Sequence, residues 1–177
     1  MPNIKQIARQ LRSADGSEIA EAAMVLPLVF MLLLGIIWFG RAFNTYSTIQ
    51  QAAQQGAIAA ARASCATCGG ATTFPTNVDT AVSAIMNADK LDTSKIKASS
   101  PSPLSCTDTT KTVTCTKSGL NITVCQQALL NSPASSTQSP QCGVVVSFQY
   151  PFSFDLLSLT SLGSMKLSAQ AQSRMEN

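Results

Sequence analysis

The sequence predicts an α+β protein: one long N-terminal helix, transmembrane in its first half, followed by a small antiparallel-sheet domain with disulfides. Three observations predict it. Ala22 to Gly40 is an uncharged apolar run of 19 residues, and the pattern behind it turns one-sided at helical spacing. Two stretches near the C-terminus alternate apolar and polar residues as strands do. All six cysteines lie beyond the apolar run.

Residues 1–16 form a short, basic leader with Lys5, Arg9 and Arg12, ending in the turn-like Ala14-Asp15-Gly16. A helix is expected from Ser17, where Ser17 and Glu18 suit the exposed N–H groups of a first turn. At about 1.5 Å per residue, residues 22–40 span roughly 28 Å, close to the roughly 30 Å of a bilayer's hydrocarbon core. The run exceeds the roughly 7–15 residues of a signal-peptide apolar region, and the only small-x-small triplet near its end is Gly40-Arg41-Ala42. A membrane span is therefore preferred to a cleaved secretory signal or a buried core helix. Pro27 lies inside it, removes one backbone hydrogen bond, and should kink the helix. Lys5, Arg9 and Arg12 precede the span, while Arg41 and then Arg62 follow it, so the N-terminus is expected in the cytoplasm.

Beyond the span, Phe39, Phe43, Tyr46, Ile49, Ala53, Ala57 and Ala60 recur every three or four residues, an amphipathic pattern that continues the helix to about Ala63. Phe43 to Ala60 is expected to cover the chain's own sheet. Residues 17–63 as one helix would be roughly 70 Å long. Residues 64–177 then form the periplasmic cysteine-containing domain. Asn77 to Asp89 reads as a short helix with Val78, Val82, Ile85 and Met86 on one face. Ser99 to Ser105 and Asn131 to Pro140 read as loops, and Lys111 to Cys115 and Leu120 to Cys125 as strands. Val144, Val146, Phe148 and Tyr150 mark one face of a strand, and Met165, Leu167, Ala169 and Ala171 one face of another that pairs with it or shares its sheet.

Composition excludes several functions. Twelve basic against nine acidic residues leave a formal charge of +3, too small and diffuse to hold nucleic acid. With no histidine there is no Ser-His-Asp triad, no HExxH zinc site and no imidazole pH switch. No cofactor is expected, and the chain is read as a non-enzyme. The plain reading of Cys65, Cys68, Cys106, Cys115, Cys125 and Cys142 is a disulfide framework on the oxidising side of the membrane, with 15 possible pairings that sequence does not distinguish. Only Cys65-x2-Cys68 is closely spaced, which disfavours a zinc site. A thiol-redox centre at that pair lacks the βαβ setting such chemistry uses. Asn121-Ile122-Thr123 matches a glycosylation sequon, silent in a bacterial setting.

The most specific feature is Gly16-Ser17-Glu18-Ile19-Ala20-Glu21 abutting the span behind a basic leader. It resembles a type IV prepilin processing site, in which a membrane-embedded prepilin peptidase cuts after the glycine and a glutamate stands fifth in the mature chain. Glu21-Ala22-Ala23-Met24-Val25-Leu26-Pro27, then Gly35-Ile36-Ile37-Trp38-Phe39-Gly40-Arg41, and the Gln/Ala-rich Ile49 to Ala63 resemble the TadE-like minor pilins (pseudopilins) of tight adherence (Flp-type) pilus systems. Val144 to Tyr150 and Leu167 to Glu176 resemble the family's last strands. The resemblance covers residues 16–63 and 143–176; the cysteine-rich middle has no counterpart. Ala22 replaces the family's phenylalanine and Trp38 stands where an aspartate is common.

The resemblance implies a pilin-like fold, cleavage between Gly16 and Ser17, and assembly of an adhesive pilus with the prepilin peptidase, the major pilin, other minor pilins and the inner-membrane platform as partners, all within or beside the lipid bilayer. A carboxylate at the bilayer centre costs about 2.5–3.5 kcal/mol, so Glu21 wants a cation. The α-amino group freed at Ser17 on a neighbouring subunit is the partner the family implies. A plain alternative has Glu21 merely interfacial at a helix N-terminus. The mature chain would carry nine basic and eight acidic residues, leaving the apolar helix to hold partners. The other readings of the same sequence are an unprocessed, membrane-anchored periplasmic binding or adhesion module and, more remotely, a membrane-tethered thiol oxidoreductase using Cys65 and Cys68.

Overall fold

The computed structural model describes residues 15–63, 74–106, 108, 110–131, 140–156 and 160–175. Helix α1 (Asp15–Ala63) and helix α2 (Phe74–Ala88) precede a 3-10 turn at Thr93–Lys95. The strands are β1 (Lys97–Ala98), β2 (Cys115–Lys117), β3 (Thr123–Leu129), β4 (Cys142–Leu156) and β5 (Thr160–Arg174). The chain divides into two compact units, Met1–Arg41 and Ala42–Asn177.

In the first unit α1 is exposed all round: every residue from Ile19 to Leu34 is open, with Met24 at 84% and Met31 at 77%. Apolar residues face every direction, so no side of this stretch is shaped for water. The helix is long and apolar enough to cross a membrane. It continues through Pro27, whose missing N–H deprives the Ala23 carbonyl of its helical partner. The Arg41 guanidinium lies 5.9 Å from the centroid of the Trp38 ring.

In the second unit α1 packs by a stripe of small residues. Thr45, Thr48, Ile49, Ala52, Ala53, Gly56, Ala57 and Ala60 are buried at spacings of three and four. Gly56 marks the closest approach: a Cβ there would stand 2.9 Å from Val82 Cγ2 and 3.5 Å from Val146 Cγ1. That tightness explains a glycine in a helix interior despite its cost of about 1 kcal/mol. The expected stripe is corrected at its start. Phe39, Phe43 and Tyr46 are 78%, 73% and 44% exposed, while Thr45 and Thr48 are buried in their place. Thr48 is tolerated because its hydroxyl donates to the Asp89 carboxylate, just past α2.

Helix α2 starts three residues before the expected Asn77, with Pro75 in its first turn, where a missing N–H costs nothing. Val78, Val82 and Met86 are fully buried and Ile85 packs beside them, as its periodicity predicts. The helix ends in a Schellman motif: Leu91 N–H donates to the Met86 carbonyl (2.8 Å) and Lys90 N–H to that of Asn87 (3.0 Å). Lys90 takes the left-handed conformation (φ 56°) that this motif asks of a glycine. Lys90→Gly should therefore stabilise the chain by about 0.5–1 kcal/mol, read as a higher urea midpoint with unchanged slope.

The sheet is antiparallel and organised on β4. β5 runs along one edge of β4 from Gly143↔Arg174 to Leu156↔Thr160, and β3 pairs along the other from Cys142 to Ser147. β1 continues that second edge at Lys97↔Gln149 and Ala98↔Phe148. Val144, Val146, Phe148 and Tyr150 face the helices together with Ala169 and Ala171, the faces the alternation predicts. The expected pairing of these two strands is antiparallel, and each is longer than its alternating core.

The middle of the chain departs most from expectation. β2 begins only at Cys115, and Thr112 makes a single bridge to Leu104 inside the expected loop. β3 begins at Thr123 because Ser118 to Ile122 form the hairpin loop, with Asn121 left-handed (φ 60°) as asparagine tolerates. A bulge then places Gln126 and Gln127 opposite Val144 alone, Gln127 at φ 54°. It reverses the facing of the rest of β3. Ala128 joins Cys125 and Val145 in a second, smaller cluster on the face away from the helices. The bulge carbonyl of Gln127 accepts from Cys106 N–H (2.9 Å), and Leu129 N–H donates to Leu104 (2.8 Å), so residues 104–106 extend the sheet beside β2.

Candidate processing and assembly segment

Gly16 and Ser17 stand in the first turn of α1, two residues into a helix that starts at Asp15 rather than at Ser17. Glu21 is exposed one turn further on. Ser17 and Glu21 are four apart, hence on one side of the helix with about 6 Å of rise between them. From Ala22 onward the exposed surface is apolar through Leu34, so Glu21 is the last acidic group before the membrane-length stretch. Gly16 weakens the first turn, since a glycine in a helix costs about 1 kcal/mol relative to alanine.

The cysteines divide into two groups. Cys106 bonds Cys142 with 5.5 Å between Cα atoms, and Cys115 bonds Cys125 with 4.2 Å. The second bridge joins register partners of β2 and β3. The first ties the 104–106 segment across β3 to β4. Sequence could not choose this pairing, because the proximity of Cys106 to Cys142 depends on the bulge. Cys65 and Cys68, with their redox reading, lie outside the described residues, as do residues 132–139 of the expected second loop.

Elsewhere the polar groups serve the backbone. Hydrogen bonds from the Ser94 hydroxyl (2.7 Å) and N–H (3.0 Å) hold the Asp92 carboxyl below its ordinary pKa. Asp108 is lowered likewise, chiefly by the Thr110 hydroxyl (2.6 Å), then by the Thr110 N–H and by Lys111, whose Nζ stands 3.2 Å away. Both carboxylates organise turns. Among the described residues no three of His, Cys, Asp and Glu group closely enough to hold a metal ion.

No curated protein and no solved structure matches the chain. A family model does, from Gly16 through the apolar stretch and into the alanine stripe packed on the sheet; the matched residues do not reach Val144 to Tyr150 or Leu167 to Glu176. Residues 16–57 are matched by the model for TadE-like protein, a family associated with Tad pili, and that segment of the chain is similar to it.

Proposed function

We propose that the chain is a minor pilin of a type IVb (Flp/Tad) pilus, inserted with its N-terminus in the cytoplasm, cut between Gly16 and Ser17 by a prepilin peptidase, and used in assembling an adhesive fibre. The observation that carries this reading is one continuous helix, Asp15–Ala63. It presents Gly16 and Glu21 at its start, an all-round apolar surface next, and a stripe packed on a folded domain at its end. A simple anchor needs the middle part alone. Subunit assembly uses all three: cleavage frees an amine, the apolar surface packs against the major pilin and other minor pilins, and the domain is displayed.

Glu21 then has two successive environments. In the bilayer it stays at the headgroup level, where a carboxylate near a helix N-terminus is tolerated. In the fibre it pairs with the Ser17 α-amino group of a neighbour, setting the axial stagger. Pro27 gives the apolar stretch a kink to fit its neighbours. Residues 1–16 are the leader, 22–40 the span, and 64–177 the periplasmic part, whose disulfides suit that compartment.

The test is the N-terminal peptide of the membrane-resident protein by mass spectrometry, with and without a co-expressed prepilin peptidase. A start at Ser17 that requires the peptidase and disappears in Gly16→Ala is expected, because a Cβ at the cleavage position stiffens the turn that must open. A start at Met1 in both conditions overturns the reading and leaves an unprocessed membrane-anchored module.

A further inference from the structure

Two contacts fix how α1 lies along the sheet within the second unit. Gly56 abuts Val146, the register partner of Ala171, and Gln50 Nε2 donates to the Ser168 carbonyl at 3.3 Å. Six residues of helix, about 9 Å of rise, thus correspond to three residues of strand, about 10 Å. α1 and β5 run parallel and closely aligned. Continued toward the N-terminal end of the unit, Phe43 comes level with Met165.

Phe43, Tyr46 and Gln50 share one stripe of α1, and Gln50 shows that this stripe flanks β5. Phe43 is 73%, Tyr46 44% and Met165 52% exposed, and Lys166 beside Met165 is exposed as well. Past Gln149, neither β1 nor β3 accompanies β4, so the β4–β5 pair continues from there as a two-stranded ribbon. This end of the domain therefore exposes the rings of Phe43 and Tyr46, the Met165 thioether and Lys166.

We infer that this end of the domain rests on the lipid headgroup layer of the leaflet where the span emerges. The inference rests on the membrane insertion proposed above. The apolar run ends at Gly40. Three and six residues of helix carry Phe43 and Tyr46 about 5 and 9 Å further, the depth range of the interfacial layer, about 5–8 Å thick on each side. Aromatic rings favour that layer, and lysine lays its stem along apolar surface while its ammonium reaches phosphate. The occupant is thus phospholipid, continuous with the lipid around the span. A second point of contact besides the helix restrains the domain's tilt on the membrane and holds it ready for extraction into a fibre.

The test uses the full chain in phosphatidylethanolamine/phosphatidylglycerol vesicles carrying a headgroup-proximal spin-labelled lipid as quencher. In a Trp38→Phe background, Met165→Trp and Phe43→Trp are compared with Gln172→Trp, exposed on the same strand seven residues, about 23 Å, away. Blue-shifted emission and its loss on adding the quencher are expected for Met165→Trp and Phe43→Trp, but not for Gln172→Trp. Emission from Met165→Trp as unshifted and unquenched as that from Gln172→Trp overturns the proposal alone. A chain that does not float with the vesicles overturns it together with membrane insertion. Shielding of Met165→Trp that appears only as protein is crowded into the vesicles assigns the patch to a second copy and overturns the lipid contact.

Discussion

Phe148→Ala is expected to destabilise the folded domain by about 3–5 kcal/mol, lowering its melting temperature by roughly 10–20 °C. Among the described residues Phe148 is the largest side chain buried completely. Its strand neighbours on either side are alanines, Ala98 on β1 and Ala169 on β5, and the helix above contributes Ala52, Ala53, Ala57 and Ala60 to the same cluster. Although Ile49, Met86 and Tyr150 belong to the same cluster, the strand neighbours that flank Phe148 are thus small. Alanine side chains have no rotamers with which to close a hole, so the cavity should persist and the loss fall in the upper half of that range. Thermal unfolding of the full chain in vesicles checks it; a shift of only a few degrees would mean that the helix collapses onto the sheet. Tyr150→Phe, which keeps the ring, should leave the melting temperature nearly unchanged and serves as the control.

The contrast with other positions shows what could be read from sequence. Strand β4, β5 and helix α2 were legible because each has one apolar and one polar face, and burial enforces that pattern. The segment from Gly16 into the alanine stripe was legible as a family pattern, and residues 16–57 are matched by the TadE-like model. The start of the alanine stripe was misread for a physical reason. Hydrophobicity ranks Phe43 and Tyr46 above Thr45 and Thr48, yet close helix-to-sheet packing selects for size, and a threonine with a carboxylate partner fits where an aromatic ring does not. The β3 bulge was invisible because Gln126-Gln127 carries none of the glycine that marks a left-handed residue. The strand expected from Leu120 ended at Cys125, before the bulge, so sequence reasoning had no basis for bringing Cys106 near Cys142.

Removing that second feature tests whether the cross-chain bridge holds the middle of the domain. The Cys106–Cys142 bridge closes a sequence separation of 36 residues and the Cys115–Cys125 bridge one of 10. Loop-closure entropy assigns them about 4 and about 3 kcal/mol, the longer loop stabilising more. The strand context widens the gap. Cys115 and Cys125 are already register partners in a ladder, whereas residues 99–114 meet the sheet by a few bonds around Leu104 to Cys106 and by Ser99, whose hydroxyl donates to Ser147 (2.7 Å). Cys106→Ala with Cys142→Ala should lower stability by about 3–4 kcal/mol and open the 99–114 segment to proteolysis before global unfolding. Cys115→Ala with Cys125→Ala should cost about 2–3 kcal/mol and leave that segment protected; alanine is chosen because a serine hydroxyl at fully buried Cys125 would go without water. Urea midpoints and limited proteolysis of the two double variants decide it. Equal losses with no early cleavage would show that the bulge-centred bonds, from Cys106 N–H to the Gln127 carbonyl and from Leu129 N–H to that of Leu104, hold the segment by themselves, and that the Cys106–Cys142 bridge only reinforces a pairing the backbone has already made.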